Sequence, residues 1–157
     1  MNTHIVTTLI LASAISTVPA FVAAESAIEH HHGPATVHEV PVKQWETDEP
    51  LRRGMRTIRD AAEPALQAYR RKTLTADDAR ALADTVEENV RYMIANCKLE
   101  PEADAALHGL IVQMLQGASR VKTDAMAHDG LSKIVAALAR YPDYFKHPGW
   151  QPLANTH

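Results

Sequence analysis

The sequence has 157 residues, 46% of them hydrophobic, and a formal net charge of −3. This length suits a single domain, and the mild acidic charge disfavours a nucleic-acid-binding protein, which needs a basic stripe. Cys97 is the one cysteine in the sequence. An internal disulfide is therefore excluded, and the fold must be held by packing alone.

Residues 1–24 have the features of a secretory signal peptide. An apolar stretch begins at Ile5 and ends with small residues at Val22 and Ala24, a pattern that is cleaved before Glu25. The segment departs from the usual pattern because it has no Lys or Arg near its start. A membrane anchor is the alternative, but the stretch is short and diluted by Thr and Ser. We expect a periplasmic protein with no membrane attachment after cleavage.

Residues 25–46 show no periodic pattern, and we expect a flexible, disordered leader. Several histidines lie close together in it, and neutral imidazoles bind copper and zinc. The leader is therefore a candidate auxiliary metal-binding arm, or else a solvated segment that happens to be rich in histidine. The histidines concerned are His30, His31, His32 and His38. Trp45, near the end of the leader, is expected to fold back on the end of the following domain.

Residues 47–157 have the pattern of an all-α domain. Apolar residues recur at alternating spacings of three and four, which is typical of helices that bury one face. The first helix is expected over 48–72, with Thr47 as its N-cap. The second is expected over 76–97, with Thr75 as the N-cap of a capping box.

The third helix is expected over 101–121, beginning at a proline that suits a first helical turn. The fourth should begin within 124–130 and end before Pro142, because proline does not continue a helix. Aromatic residues after Pro142 are apolar enough to pack back on the domain. Short connections make consecutive helices antiparallel neighbours. The sequence therefore predicts an up-down-up-down antiparallel four-helix bundle.

This topology brings soft metal ligands into one half of the bundle. Cys97 ends the second helix, Met93 lies one turn earlier, and His108 lies at the edge of the apolar stripe of the third helix. Met55 comes from the first helix. Thiolate and thioether sulfur together with imidazole suit Cu(I). The sequence therefore predicts a copper-binding protein whose internal ligands are Cys97, His108, Met93 and Met55.

A cofactor-free bundle is the alternative interpretation. Methionine is a common core filler, and free cysteine is often buried and inert. The spacing of Cys97 and His108 matches no zinc signature. In this interpretation the protein is a structural bundle or one that binds another periplasmic protein, and the same residues simply build its core. An enzyme is not predicted, because residues 47–157 contain no inward-facing acid pair, Glu-x-x-His motif or nucleophile elbow.

Two stretches of the sequence resemble known groups of proteins. Met55, in the sequence LRRGMRTIRDA, resembles the methionine early in the first helix of soluble periplasmic b-type cytochromes, which are four-helix bundles. The resemblance implies haem binding, but no histidine lies between Leu131 and Tyr141, where that family places its second ligand. His108 is the alternative axial ligand. The stretch Val90–Leu115 resembles that of small secreted bacterial proteins of uncharacterised function, which implies a periplasmic location and no mechanism.

Overall fold

The computed structural model describes residues 43–123 and 128–154, apart from the side chain of Thr123. The predicted signal peptide and the four leader histidines lie outside these residues. The all-α fold with four helices is confirmed. The helices are α1 (Glu49–Arg70), α2 (Ala76–Asn96), α3 (Pro101–Thr123) and α4 (His128–Tyr144), and the strands are β1 (Trp45–Glu46) and β2 (Phe145–Lys146). Within the described residues, no helix is long and apolar enough to cross a membrane.

The N-cap of α1 is Asp48, so the prediction of Thr47 was wrong. The Asp48 carboxylate accepts a hydrogen bond from Leu51 N at 2.9 Å, which satisfies a free donor of the first turn. Its other oxygen accepts from Lys98 N at 2.7 Å, so the start of α1 is joined to the end of α2. Thr47 instead donates its hydroxyl to the backbone oxygen of Lys146 at 2.8 Å, because it directly follows β1.

The other helix ends follow the predicted signals, with corrections at the C-terminal end of every helix. Helix α2 ends at Asn96 rather than Cys97, and α3 continues past residue 121 to Thr123. The capping box of Thr75 and Asp78 is present. Helix α1 ends at Arg70 rather than Lys72. At Lys72 the backbone already lies in the left-handed region, with φ 59°. Helix α4 runs through Pro142 to Tyr144, so its predicted end was too early. The last turn of α4 is held from outside, since β2 follows it directly and pairs with β1.

The strand pair was not predicted from the sequence. β1 and β2 are parallel, with Trp45 opposite Phe145 and Glu46 opposite Lys146. Trp45 stacks on Tyr144 with ring centroids 6.4 Å apart and an interplanar angle of 8°. The expectation that Trp45 folds back on the bundle end is therefore confirmed. The pairing ties the residues before α1 to those after α4.

A tail formed by residues 147–154 follows α1 from its first turns towards its end. Arg59 donates to the backbone oxygens of Gln151 and Pro152 at 3.0 and 3.2 Å. Further along, the Glu63 carboxylate accepts from Ala154 N at 3.0 Å. Leu153, which lies between these two sets of hydrogen bonds along the tail, is buried. Polar side chains of α1 thus hold the backbone of the tail at two places.

Helices α3 and α4 approach closely where two glycines meet. A Cβ atom added to Gly117 would lie 2.7 Å from the carbonyl oxygen of Gly130, and one added to Gly130 would lie 2.7 Å from that of Gly117. Gly117 and Gly130 therefore allow α3 and α4 to approach closely. At the opposite corner Tyr69, late in α1, bonds His128 at the start of α4 at 2.7 Å.

Candidate functional site

A cleft of about 290 Å³ opens between the end of α2 and the start of α3. It brings together three of the four predicted internal ligands, namely Met93, Cys97 and His108. Met55 is not among the residues that line it and is fully buried in the core of the bundle. Asp104 adds a carboxylate to the cleft, and the remaining lining is apolar, comprising Ile94, Leu107 and Ile111.

The Cys97 thiol is half-buried and protonated at neutral pH. Burial, the negative charge of Asp48, a hydrogen bond to its carboxylate and the charge of Asp104 raise the pKa of Cys97 to about 12. Because the thiolate is the reactive form, this thiol oxidises slowly even in an oxidising compartment. A metal ion that binds Cys97 must displace the proton, so binding would strengthen with rising pH.

His108 differs from its expected placement, whereas Met93 is buried as its inward-facing position in the second helix predicts. His108 is exposed, so the expectation that it lies at the edge of the core was wrong; it sits on the outward-facing side of α3, beyond the buried Leu107. Met93 is fully buried and packs on Gly54, where an added Cβ would lie 2.7 Å from the methionine sulfur. The three candidate ligands therefore span the depth of the cleft, from solvent to the surface of α1.

In the part of the chain that the structure describes, no group of three or more His, Cys, Asp or Glu side chains is placed to hold a metal ion. A site built from Cys97, His108 and Met93 has only two members of that set, because its third donor is a thioether. Such a donor set is selective for a soft ion.

A second cluster, at the end of the bundle near the tail, was not predicted from the sequence. His147 is buried, and its Nδ1 lies 2.9 Å from the hydroxyl oxygen of fully buried Tyr141. Its Nε2 lies 3.4 Å from an amino group of Arg56. Trp150 closes the cluster, with its ring centroid 4.7 Å from that of Tyr141. In the sequence, the available signals for this cluster are that His147 follows soon after Pro142 and that α1 is rich in arginine.

The contact with Arg56 favours one tautomer of His147. A guanidinium only donates, so Nε2 must present its lone pair to Arg56, and the proton resides on Nδ1, which donates to Tyr141. Burial, and the positive charges of Arg56 and Arg52, lower the pKa of His147 to about 4. Burial also raises the pKa of Tyr141. Both rings therefore stay neutral at physiological pH and act as packed core.

The low pKa of His147 makes stability sensitive to acid. The ordinary histidine pKa is about 6.5 in the unfolded chain, and the folded value is about 4, so the unfolded state binds more protons between these values. We expect the free energy of unfolding to fall by up to about 3 kcal/mol from pH 6.5 to pH 4. Urea unfolding across this range measures it. The His147→Gln variant should lose this slope, and an unchanged slope in the variant would contradict the assignment.

The residues that carry the haem interpretation are placed unfavourably for an iron ligand. Met55 is fully buried in the core. His108 is exposed. Haem binding stays a prediction, which the presence or absence of a Soret band would test.

Comparison with known proteins gives this chain no relative: it matches no family model, no curated protein and no solved structure.

Proposed function

We propose that this protein binds Cu(I) in the cleft between α2 and α3 and handles it as a periplasmic metal-binding protein without enzymatic activity. The observation that carries the proposal is the shared cleft of Met93, Cys97 and His108. These residues come from two helices, and they supply one thiol, one imidazole and one thioether. Such donors prefer Cu(I) over Mg²⁺ or Ca²⁺, which favour oxygen.

Access and proton balance also support a metal that enters from solvent. His108 is exposed and can bind an arriving ion first. Cys97, held protonated beside Asp48, then releases its proton as the Cu(I)–thiolate bond forms. The Met93 sulfur lies deepest and completes the site by turning from Gly54 towards the cleft. In this proposal the histidines of the leader collect the ion at low affinity.

A competition titration with a Cu(I) chelator, under reducing conditions, tests the proposal. We expect one ion to bind per chain with release of one proton, and affinity that rises with pH. Cys97→Ser and His108→Ala should each weaken binding by about 100-fold or more, because even the outer-shell partners of metal ligands typically account for 10–100-fold. A variant with the four leader histidines replaced by Ala should keep the tight site.

Matched controls separate ligand loss from damage to the fold. Met114→Leu removes a thioether that is as fully buried as that of Met93 but does not line the cleft. His128→Ala removes an exposed imidazole at the other end of the bundle. Both controls should bind Cu(I) like the wild type, whereas Met93→Leu should bind it more weakly. Equal loss in Met93→Leu and Met114→Leu, or binding that vanishes only with the leader histidines, would exclude the cleft as the site.

A cofactor-free interaction bundle is the second candidate function. The high pKa of Cys97 and the complete burial of Met93 favour it, since both residues already have stable roles in the packing. In that case Cys97→Ser lowers the free energy of unfolding and leaves Cu(I) affinity unchanged. The titration and an unfolding curve on the same variant distinguish the two functions.

A further inference from the structure

The outer face of α3 carries no formal charge along most of its length. Residues 105–119 contain no Asp, Glu, Lys or Arg, although an exposed helix face is normally charged or strongly polar. The outward positions recur at spacings of three and four, and all of them are exposed. They are Ala105, His108, Val112, Gln116 and Ser119. Val112 is 40% exposed, and Ile94, which lines the adjoining cleft, is 67% exposed. These five outward residues form an uncharged, solvent-facing stripe on α3, whose opposite side packs in the core. We call this stripe the seam.

Charged residues lie at both ends of this seam, acidic at one end and basic at the other. Glu102 and Asp104 lie before it, and Arg120 and Lys122 lie after it. At 3.6 residues per turn, Glu102 and Arg120 flank one edge of the seam, and Asp104 and Lys122 flank the other edge. Val112 lies midway along the chain between the acidic and the basic pair. Turning the helix end for end about Val112 therefore places each basic residue where an acidic residue was, and each acidic residue where a basic residue was.

We propose that a second copy of this chain docks on this face, with the two α3 helices antiparallel and Val112 on the twofold axis. A twofold interface brings the same surface of both copies together. In this arrangement Glu102 of each copy meets Arg120 of the other, and Asp104 meets Lys122. A parallel pairing is disfavoured, because it would bring each acidic end against the other acidic end.

The packing surface fits a helix partner of the same kind. Ala105, Val112 and Ser119 are small enough for two helix backbones to approach closely, and Gly109 beside them has nothing within 4 Å of the position of a Cβ. The terminal charges specify orientation more than affinity, because Arg120 already pairs with Asp129 at 3.5 Å and Lys122 with Asp84 at 2.8 Å. One helix pair gives a small interface, so we expect a dimer that depends on protein concentration.

Cysteine cross-linking tests the register. In a Cys97→Ser background, Val112→Cys should form a disulfide-linked dimer under mild oxidation, because only a residue on the twofold axis meets its own copy. Ala105→Cys alone should remain monomeric, and so should Ser119→Cys alone. A mixture of these two proteins should yield a heterodimer, since positions 105 and 119 are equally distant from 112. All three sites are exposed, so circular dichroism should report an unchanged helix content.

Light scattering over a concentration series tests the same dimer without cross-links. Val112→Glu places two carboxylates on the axis and should raise the dissociation constant at least about tenfold, which corresponds to 1.4 kcal/mol. Glu88→Gln, on the exposed face of α2, is the control and should leave it unchanged. Copper chelators are kept present, so the result is independent of the proposed metal site. A protein that is monomeric at every concentration, or cross-linking of Ala105→Cys as strong as that of Val112→Cys, overturns the proposal.

Discussion

Replacing Gly130 with alanine should lower the free energy of unfolding by about 3 kcal/mol, the upper end of the usual cost of overpacking. A Cβ at this position would lie 2.6 Å from the backbone nitrogen of Val121 and 2.7 Å from the carbonyl oxygen of Gly117. Neither atom can move without shifting α3 as a whole. The intrinsic gain of alanine over glycine in a helix, about 1 kcal/mol, is too small to offset the separation of the helices.

Two other glycines serve as matched comparisons for this effect. Gly117→Ala should destabilise the protein similarly, because its Cβ would meet the Gly130 carbonyl oxygen and Ile134 Cγ1, each at 2.7 Å. Gly109→Ala, in the same helix, adds a Cβ to open space and should stabilise the protein by about 0.5–1 kcal/mol. The same substitution is thus expected to change sign within two to three turns of α3.

Urea unfolding followed by circular dichroism, at a concentration at which the protein is monomeric, measures all three variants. Gly130→Ala should reduce the midpoint with little change in slope, because the surface exposed on unfolding stays the same. Stabilisation by all three substitutions would mean that helix propensity alone governs these positions. In that case the close approach of α3 and α4 would be incorrect.

The helices could be predicted from the sequence because their signals are local. A three-and-four spacing of apolar residues and the Thr75–Asp78 capping box act within a few residues of each other, so they do not depend on the rest of the chain. The choice of Asp48 over Thr47 as the N-cap depends instead on contacts with distant parts of the chain. Thr47 is occupied by Lys146, about a hundred residues away along the chain, and Asp48 gains a second partner in Lys98.

The candidate site was predicted in part for the same reason. Cys97 and His108 lie on either side of one short turn, so antiparallel packing alone places both beside a shared cleft. Whether His108 faces the core or solvent depends on the rotation of α3 against α2 and α4, which periodicity fixes only to within a residue. The cluster of Tyr141 and His147 forms only because the tail turns back along α1, and no local sequence pattern predicts that path.

That cluster supplies the second large expected effect, at Tyr141. Its ring is fully buried, stacks on Phe145 with centroids 5.3 Å apart, and makes edge contacts with His147 and Trp150. Tyr141→Ala should lower the free energy of unfolding by about 3–5 kcal/mol, as truncation of a buried aromatic residue does. The loss should come with release of the tail, because Trp150 would no longer have a ring beneath it.

The hydroxyl can be separated from the ring with Tyr141→Phe. This variant keeps the aromatic packing and leaves Nδ1–H of His147 without its acceptor, so about 1–3 kcal/mol should be lost. Tyr144→Phe is the control, since the Tyr144 hydroxyl accepts from Arg140 in a partly buried position at the bundle surface. Exchange of the backbone amides of residues 150 and 153, measured by NMR, reports release of the tail. If Tyr141→Phe is as stable as the wild type, the hydrogen bond between the Tyr141 hydroxyl and His147 contributes no net stability.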